Sequence, residues 1–160
     1  MSHVVSIQTE LKDLAAVKAA CLELGLTFKE GQQTYQWWGH SVGDHPLPAG
    51  FTTADLGHCE HALGVPGTNW EVGVTHARNP DGTRREGYTL LCDFFGSRGA
   101  PIGRALGGTF TGRECTAMTF HRFLQAYGVA KATLEARRRG YLVTRQAGRN
   151  GSVQLVVTGF

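Results

Sequence analysis

The spacing of apolar residues predicts two helices. Asp13 is placed to cap the first, whose apolar positions recur at helical spacing up to Leu24, and Gly25 supplies the left-handed conformation that ends it. The second helix covers about 119–139 and stops at Gly140. Its apolar side carries Phe120, Phe123, Leu124, Tyr127 and Leu134. Each helix therefore has one apolar stripe to bury.

Alternating and β-branched residues predict strands around these helices. The predicted strands cover 3–9, 26–28, 34–38, 70–76, 87–95, 141–146 and 153–157. Short turn sequences between neighbouring strands are typical of antiparallel pairing. We therefore predict one α+β domain over residues 1–160, with a mainly antiparallel sheet and both helices on one face. We expect the second helix to face Val5, Ile7, Leu90, Leu155 and Val157.

The regular pattern lapses between residues 39 and 69, where we predict a long irregular loop. This segment holds three of the five prolines and four of the seven histidines. Its apolar residues argue against disorder. Since loops of this length rarely lack all structure, we expect a short helix from Thr52 or Thr53 to about Leu63.

A glycine-rich stretch at 96–112 lies between a strand and a helix, where phosphate-binding loops are found. It matches neither the Walker spacing nor the dinucleotide fingerprint, and the sheet is not expected to be parallel. We interpret it as a flexible connection. Anion binding by Arg98 and Arg104 is the alternative.

Composition and charge exclude several classes of protein. The 160 residues are 41% hydrophobic and 18% charged, without an apolar run of membrane-spanning length or a secretory signal, so a cytoplasmic protein is expected. Four widely spaced cysteines predict no disulfide framework. The net charge of +3 hides an asymmetry: residues 1–80 carry four basic and eight acidic residues, and residues 81–160 twelve and five. This asymmetry indicates a basic surface facing something acidic, unless folding intermixes the two halves.

Metal binding is the chemistry most suggested by the loop. On a short helix His58 and His61 would share a face beside Cys59, and His40 or His45 would add another nitrogen. The signal is weak, because no paired cysteine spacing and no His-Glu-x-x-His sequence is present. Surface histidines above a buried cysteine are the alternative, and we predict no cofactor.

Two other features suggest a binding surface. Consecutive Trp37 and Trp38 point to opposite faces of a strand, so at most one belongs to the core if one face is solvated. At the second helix's end, Arg137 and Arg138 lie beside a third arginine, and such a run fans around the helix. With Arg145 and Arg149 of the following hairpin, these arginines are expected to form one positive patch. Asp93, in a predicted central strand, is expected to meet an arginine, a backbone amide or the sheet edge.

Three segments carry a resemblance to a known family. They are MSHVVSIQTELKDLAAVKAACLELGL, GYTLLCDFFG and LQAYGVAKATLEARRRGYLVTRQAGRNGSVQLVV. The chain resembles the hypothetical chloroplast reading frame proteins (domain of unknown function twelve-fifty-seven), an uncharacterised family of plastids, cyanobacteria, other bacteria and phages. Segment 40–67 is similar to the larger members only. The family has no established activity or catalytic residues, and its members lie near genes for AAA-type ATPases, which implies an accessory subunit.

These observations lead to three hypotheses about function. The first is a non-enzymatic binding or accessory protein that docks a partner protein, with an AAA-type ATPase as the partner that the resemblance implies. The second is nucleic-acid binding through the arginine-rich C-terminal half. The third is a metal-dependent enzyme that uses the loop histidines. No membrane partner is expected.

Overall fold

A five-stranded antiparallel sheet is the centre of the fold. The structure is a computed structural model, and it describes the backbone of residues 4–6 together with residues 11–41 and 47–159. The strands are β1 (Val4–Ser6), β2 (Thr27–Lys29), β3 (His61–Gly64), β4 (Glu71–Arg78) and β5 (Arg84–Asp93). Their order across the sheet is β1-β5-β4-β3-β2, and all neighbours are antiparallel. The predicted α+β class with an antiparallel sheet is confirmed.

In the described part of the chain, three α-helices accompany the sheet, and the second of them was not predicted. They are α1 (Leu14–Leu24), α2 (Gly96–Leu106) and α3 (His121–Arg138). The start of α1 is capped as expected, since Asp13 Oδ1 accepts the Ala16 N–H at 3.2 Å. Gly25 ends α1 with a φ of 73°. Within the described part of the chain, no helix is long and apolar enough to cross a membrane.

One hydrophobic core joins the three helices to a single face of the sheet. The buried residues at its centre are Val17 of α1, Ile102 of α2, Phe123 of α3, and Leu63, Val72, Val74, Leu90 and Cys92 of the strands. Of the predicted stripe on α3, Leu124 and Leu134 are only partly buried. The Asp13 N–H donates to the Tyr127 hydroxyl at 3.2 Å, which ties the start of α1 to α3. The predicted helices therefore lie on the same side of the sheet.

Side chains from the described segments 32–41 and 47–59 pack against the opposite face of the sheet. Tyr35 is buried there beside Cys59 and Leu91, and Trp37 packs partly against the same cluster. The Tyr35 ring lies against Gly73 of β4, where an added Cβ would approach Tyr35 Cδ1 to 2.5 Å. The glycine thus makes room for the ring, because no other side chain leaves that space.

The predictions for segments 34–38 and 39–69 are partly wrong. No strand forms at 34–38, where Thr34 makes only an isolated bridge to His58. The expected helix up to Leu63 is a single turn of 3₁₀ helix at Thr53–Asp55. The predicted irregular loop also contains β3, which pairs with both β2 and β4. A buried strand of four residues is too short to show a period in the sequence.

The glycine-rich stretch is mainly a helix, so its interpretation as a flexible connection is wrong. Asp93 is fully buried at the end of β5, and its Oδ1 accepts the Phe95 N–H at 3.0 Å in the turn before α2, which is one of the partners expected for it. Gly99 packs against the backbone of Phe94, and Gly103 against the Cys115 side chain. The glycines therefore allow close packing, which outweighs their low helix propensity.

Two separate hairpins complete the fold. The first consists of β6 (Gly108–Thr111) and β7 (Glu114–Met118), and the second of β8 (Leu142–Ala147) and β9 (Val153–Thr158). The second hairpin does not extend the main sheet. Leu155 and Val157 were expected as core residues facing α3, and their core burial is wrong: Leu155 is half-buried on the hairpin face that lies towards α3, and Val157 is exposed. The side chains of Val5 and Ile7 lie outside the described residues.

Candidate functional site

The C-terminal hairpin is supported on one side by α3 and α1. Its inner face carries Val143, Val153 and Leu155, which are half-buried. Gln125 Nε2 of α3 donates to the carbonyl of Gly151 in the turn at 2.8 Å. An isolated two-stranded hairpin is at best marginally stable, so these contacts hold it in place. Within the described residues, β8 and β9 pair with no other strand, and both edges keep open backbone hydrogen-bonding groups.

The open end of this hairpin exposes four large apolar side chains. The exposed fractions are 42% for Tyr141, 57% for Leu142, 37% for Val156 and 50% for Val157. The end of α3 leads directly into this hairpin end, since the Tyr141 N–H donates to the carbonyl of Ala136 at 3.0 Å. Leu142 and Val156 lie on the outer face of the hairpin, whereas Val157 pairs with Val143 and lies on the inner face. We call the four residues around this open end, together with Arg137 and Arg139 at the end of α3, the hairpin-end surface. Apolar side chains with an arginine rim are typical of protein interfaces.

The predicted arginine patch is divided in the structure. Arg138 lies 3.5 Å from the Asp13 carboxylate. Arg145 lies 2.5 Å from that of Glu23, and this hydrogen bond raises the pKa of the arginine. Arg149 sits in the hairpin turn, about 17 Å along the strand from the open end. Among the described residues, no carboxylate lies within ion-pair distance of the exposed side chains of Arg137, Arg139 or Arg149.

The two tryptophans lie elsewhere, in the segment that covers the opposite face of the sheet. Trp37 is half-buried, whereas Trp38 is 44% exposed. The ring of Trp38 meets that of His40 edge-on, with centroids 5.9 Å apart. Trp38 is therefore accessible but belongs to a different layer from the arginines of the hairpin.

Arg98 and Arg104 do not converge on one site. Both belong to α2, where six residues separate them by roughly 9 Å along the axis and turn them to different sides of the helix. Arg104 instead lies over the ring of Phe110 at 5.2 Å, and its carbonyl accepts a hydrogen bond from Arg122. Their positions give no common anion site.

Part of the predicted histidine cluster lines a cleft of about 530 Å³ at the end of the main sheet. His58, Cys59 and His61 are brought together there with residues that the sequence analysis did not identify. Glu60, between Cys59 and His61 in the sequence, also lines the cleft, and the lining residues that were not identified include His76, Arg84 and Tyr88. In the described part of the chain, no three His, Cys, Asp or Glu side chains are arranged to hold a metal ion. His40 is exposed beside Trp38, and His45 lies outside the described residues.

The residues missed in this cleft come from strands. His76 and Tyr88 are direct partners in the pairing of β4 with β5, and their rings stack at 4.9 Å. Alternation along β4 places His76 on the same face as Val72 and Val74. The alternation along β4 was visible in the sequence, but the register of β4 with β5 that brings Tyr88 beside His76 was not.

Cys59 is unsuited to act as a nucleophile. Its thiol is buried and donates to the Gln32 carbonyl at 3.2 Å. Burial raises the pKa of Cys59 to about 12, as it does that of Cys21, and it also raises those of Cys92 and Cys115.

We therefore expect the native protein to react very slowly with a disulfide reagent at pH 8. A thiol with a pKa near 12 holds roughly a thousandfold less thiolate than a free cysteine at that pH, and the thiolate is the reactive form. All four cysteines should react after unfolding in guanidinium chloride. Rapid labelling of Cys59 in the folded protein would contradict this description of the cleft.

Comparison with known proteins adds no relative. The chain matches no protein-family model, no curated protein and no solved structure. The family resemblance stays a prediction. The hairpin-end surface and the histidine cleft are the two places among the described residues on which we base proposals.

Proposed function

We propose that the protein is a non-enzymatic binding protein that docks an acidic segment of a partner protein on its hairpin-end surface. The observation that carries this proposal is the combination of four exposed apolar side chains with Arg137 and Arg139. Burying the apolar side chains gives affinity, and the arginines select a negatively charged partner. An AAA-type ATPase is the partner implied by the family resemblance.

Charge supports an acidic partner over an uncharged one. Asp13 and Glu23 each engage one arginine of this region, whereas Arg137 and Arg139 keep their charge facing solvent. A helix C-terminus needs only about one cation to offset its dipole, which is worth under ~1 kcal/mol. The additional positive charge thus has little role in folding and is free to bind a partner.

The open edges of the hairpin support an extended segment as the occupant. An extended peptide adds a strand to an exposed edge through main-chain hydrogen bonds, and its alternate side chains reach one face. The outer face of this hairpin is uncharged. It consists of Leu142, Thr144, Gln146, Gln154, Val156 and Thr158. A segment in which acidic and apolar residues alternate would match both the edge and the arginine rim.

Selection from a random-peptide display library tests the proposal. We expect the wild-type protein to enrich peptides rich in Asp and Glu with alternating apolar residues. The double variant Arg137→Glu/Arg139→Glu should bind those peptides at least about tenfold more weakly, because two attractive charges become repulsive. Its stability should change little, since exposed charges contribute little to folding.

The double variant Arg98→Glu/Arg113→Glu is the matched control. Both arginines are exposed, lie outside the hairpin and change the net charge by the same amount. Peptide binding should survive in this control. Enrichment of uncharged or basic peptides, equal loss in both variants, or self-association through this surface in sedimentation analysis would each overturn the proposal.

Nucleic-acid binding is distinguished by its salt dependence. If the arginines contact phosphates of a single-stranded oligonucleotide, affinity falls with a slope of roughly −0.7 in log–log coordinates for each contact. Under the docking proposal, the selected peptide binds more tightly than the oligonucleotide at physiological salt. The opposite order would favour the nucleic-acid hypothesis.

A further inference from the structure

Four adjacent strands each place one ring on the same face of the main sheet, and the rings of β3, β4 and β5 line the cleft. These residues are Phe28 of β2, His61 of β3, His76 of β4 and Tyr88 of β5. The ring centroids are 5.2 Å apart for Phe28 and His61, 6.0 Å for His61 and Tyr88, and 4.9 Å for His76 and Tyr88. All four side chains are half-buried. The row is therefore partly accessible.

One hydrogen bond sets the orientation and the tautomer of the His61 ring. Its Nδ1 accepts the Gly31 N–H at 2.9 Å, so this nitrogen carries no proton. The neutral ring must then carry its hydrogen on Nε2, which makes that nitrogen a hydrogen-bond donor. The cleft consequently presents a donor from a ring that is held in one orientation.

Glu60 holds Arg84 at the edge of the cleft. One carboxylate oxygen, Oε2, accepts the His76 N–H at 2.9 Å, and the other lies 3.6 Å from Arg84 Nη2. The carboxylate is thus fixed by the strand backbone. The Arg84 side chain remains 72% exposed, and its further N–H groups are left to bind an anion.

We propose that this cleft binds a nucleotide, with the base against the rings of His61, His76 and Tyr88 and the phosphate on Arg84. A volume of about 530 Å³ lies within the range of small-ligand sites. Stacking of a base on aromatic side chains is worth about 1–3 kcal/mol, and guanidinium recognises phosphate through paired hydrogen bonds. The site is separate from the hairpin-end surface and does not depend on the docking proposal.

Titration with AMP, adenosine and inorganic phosphate separates the contribution of the base contacts from that of the phosphate contact. The imidazole proton resonances of His58, His61 and His76 report binding, with assignments from single His→Gln variants. AMP should shift these resonances and bind more tightly than adenosine or phosphate alone. No shift with AMP at millimolar concentration, or equal binding of AMP and phosphate, would overturn the proposal.

Two variants assign the roles of the residues. Arg84→Gln should weaken AMP about tenfold or more and leave adenosine unchanged, because it removes a charge-assisted hydrogen bond. Tyr88→Leu keeps the apolar contact with the core but removes the ring, and it should weaken AMP and adenosine alike. Arg113→Gln, far from the cleft in sequence and on a different hairpin, is the control and should leave both affinities unchanged.

Binding of a single-stranded oligonucleotide distinguishes two natural ligands, a free nucleotide and a nucleic-acid strand. If the natural ligand is a free nucleotide, AMP competes with the oligonucleotide at similar concentration, and affinity depends weakly on salt. If it is a nucleic-acid strand, the oligonucleotide binds more tightly and with a steep salt dependence. If Arg84→Gln weakens the binding of neither AMP nor the oligonucleotide, the assigned phosphate contact is contradicted.

Discussion

Replacing Phe123 with alanine should lower the free energy of unfolding by about 3–5 kcal/mol. Phe123 is completely buried in α3, in the core that joins the three helices to the sheet. Its removal loses the transfer free energy of the ring and leaves a cavity, because the surrounding helices relax only partly. Urea unfolding followed by circular dichroism measures the change.

Leu124→Ala provides the comparison within the same helix. Leu124 is only partly buried, so we expect a loss of about 2 kcal/mol or less. Equal losses for the two variants, or a loss below about 1 kcal/mol for Phe123→Ala, would mean that α3 presents a different face to the core.

Gly99→Ala should destabilise the protein by roughly 3 kcal/mol or more. Gly99 lies within α2, and a Cβ there would collide with the backbone of Phe94, which cannot rotate away. Helix propensity alone predicts the opposite sign, since alanine is better than glycine in a helix by about 1 kcal/mol. The sign of the measured change therefore separates close packing from local propensity.

Gly128→Ala in α3 is the matched control. No atom lies within 4 Å of the Cβ that alanine would add there, and the residue is exposed. We expect a gain of about 0.5–1 kcal/mol in this variant. A gain of similar size for Gly99→Ala would show that α2 does not pack against the end of β5 as described.

Local signals explain what could be predicted of the fold. A cap at Asp13, a left-handed Gly25 and a regular apolar period define α1. Gly140, with a φ of 82°, follows the end of α3 in the same way, but the start of α3 at Phe120 has no side-chain cap. The sequence of α2 carries Gly96, Gly99 and Gly103 with a proline between them, so its propensity opposes a helix. Its stability comes from contacts with residues distant in sequence, which no local pattern reveals.

The candidate surfaces were predictable to a smaller extent. The run at Arg137 was correctly predicted to be exposed, but the ion pairs of Arg138 with Asp13 and of Arg145 with Glu23 join residues more than a hundred positions apart. Only the tertiary structure shows which arginines keep their charge available. In the same way, His58 and His61 were identified in the sequence as candidate site residues. Their neighbours His76 and Tyr88 become evident only from the pairing of β4 with β5.

A charge-swap titration tests the docking proposal most directly. An acidic peptide that binds the wild type and the same peptide with lysine at every acidic position are titrated against the wild type and Arg137→Glu/Arg139→Glu. We expect the preference to reverse: the wild type binds the acidic peptide, and the variant binds the lysine peptide. If the variant binds the acidic peptide as tightly as the wild type does, the hairpin-end surface is not the docking site.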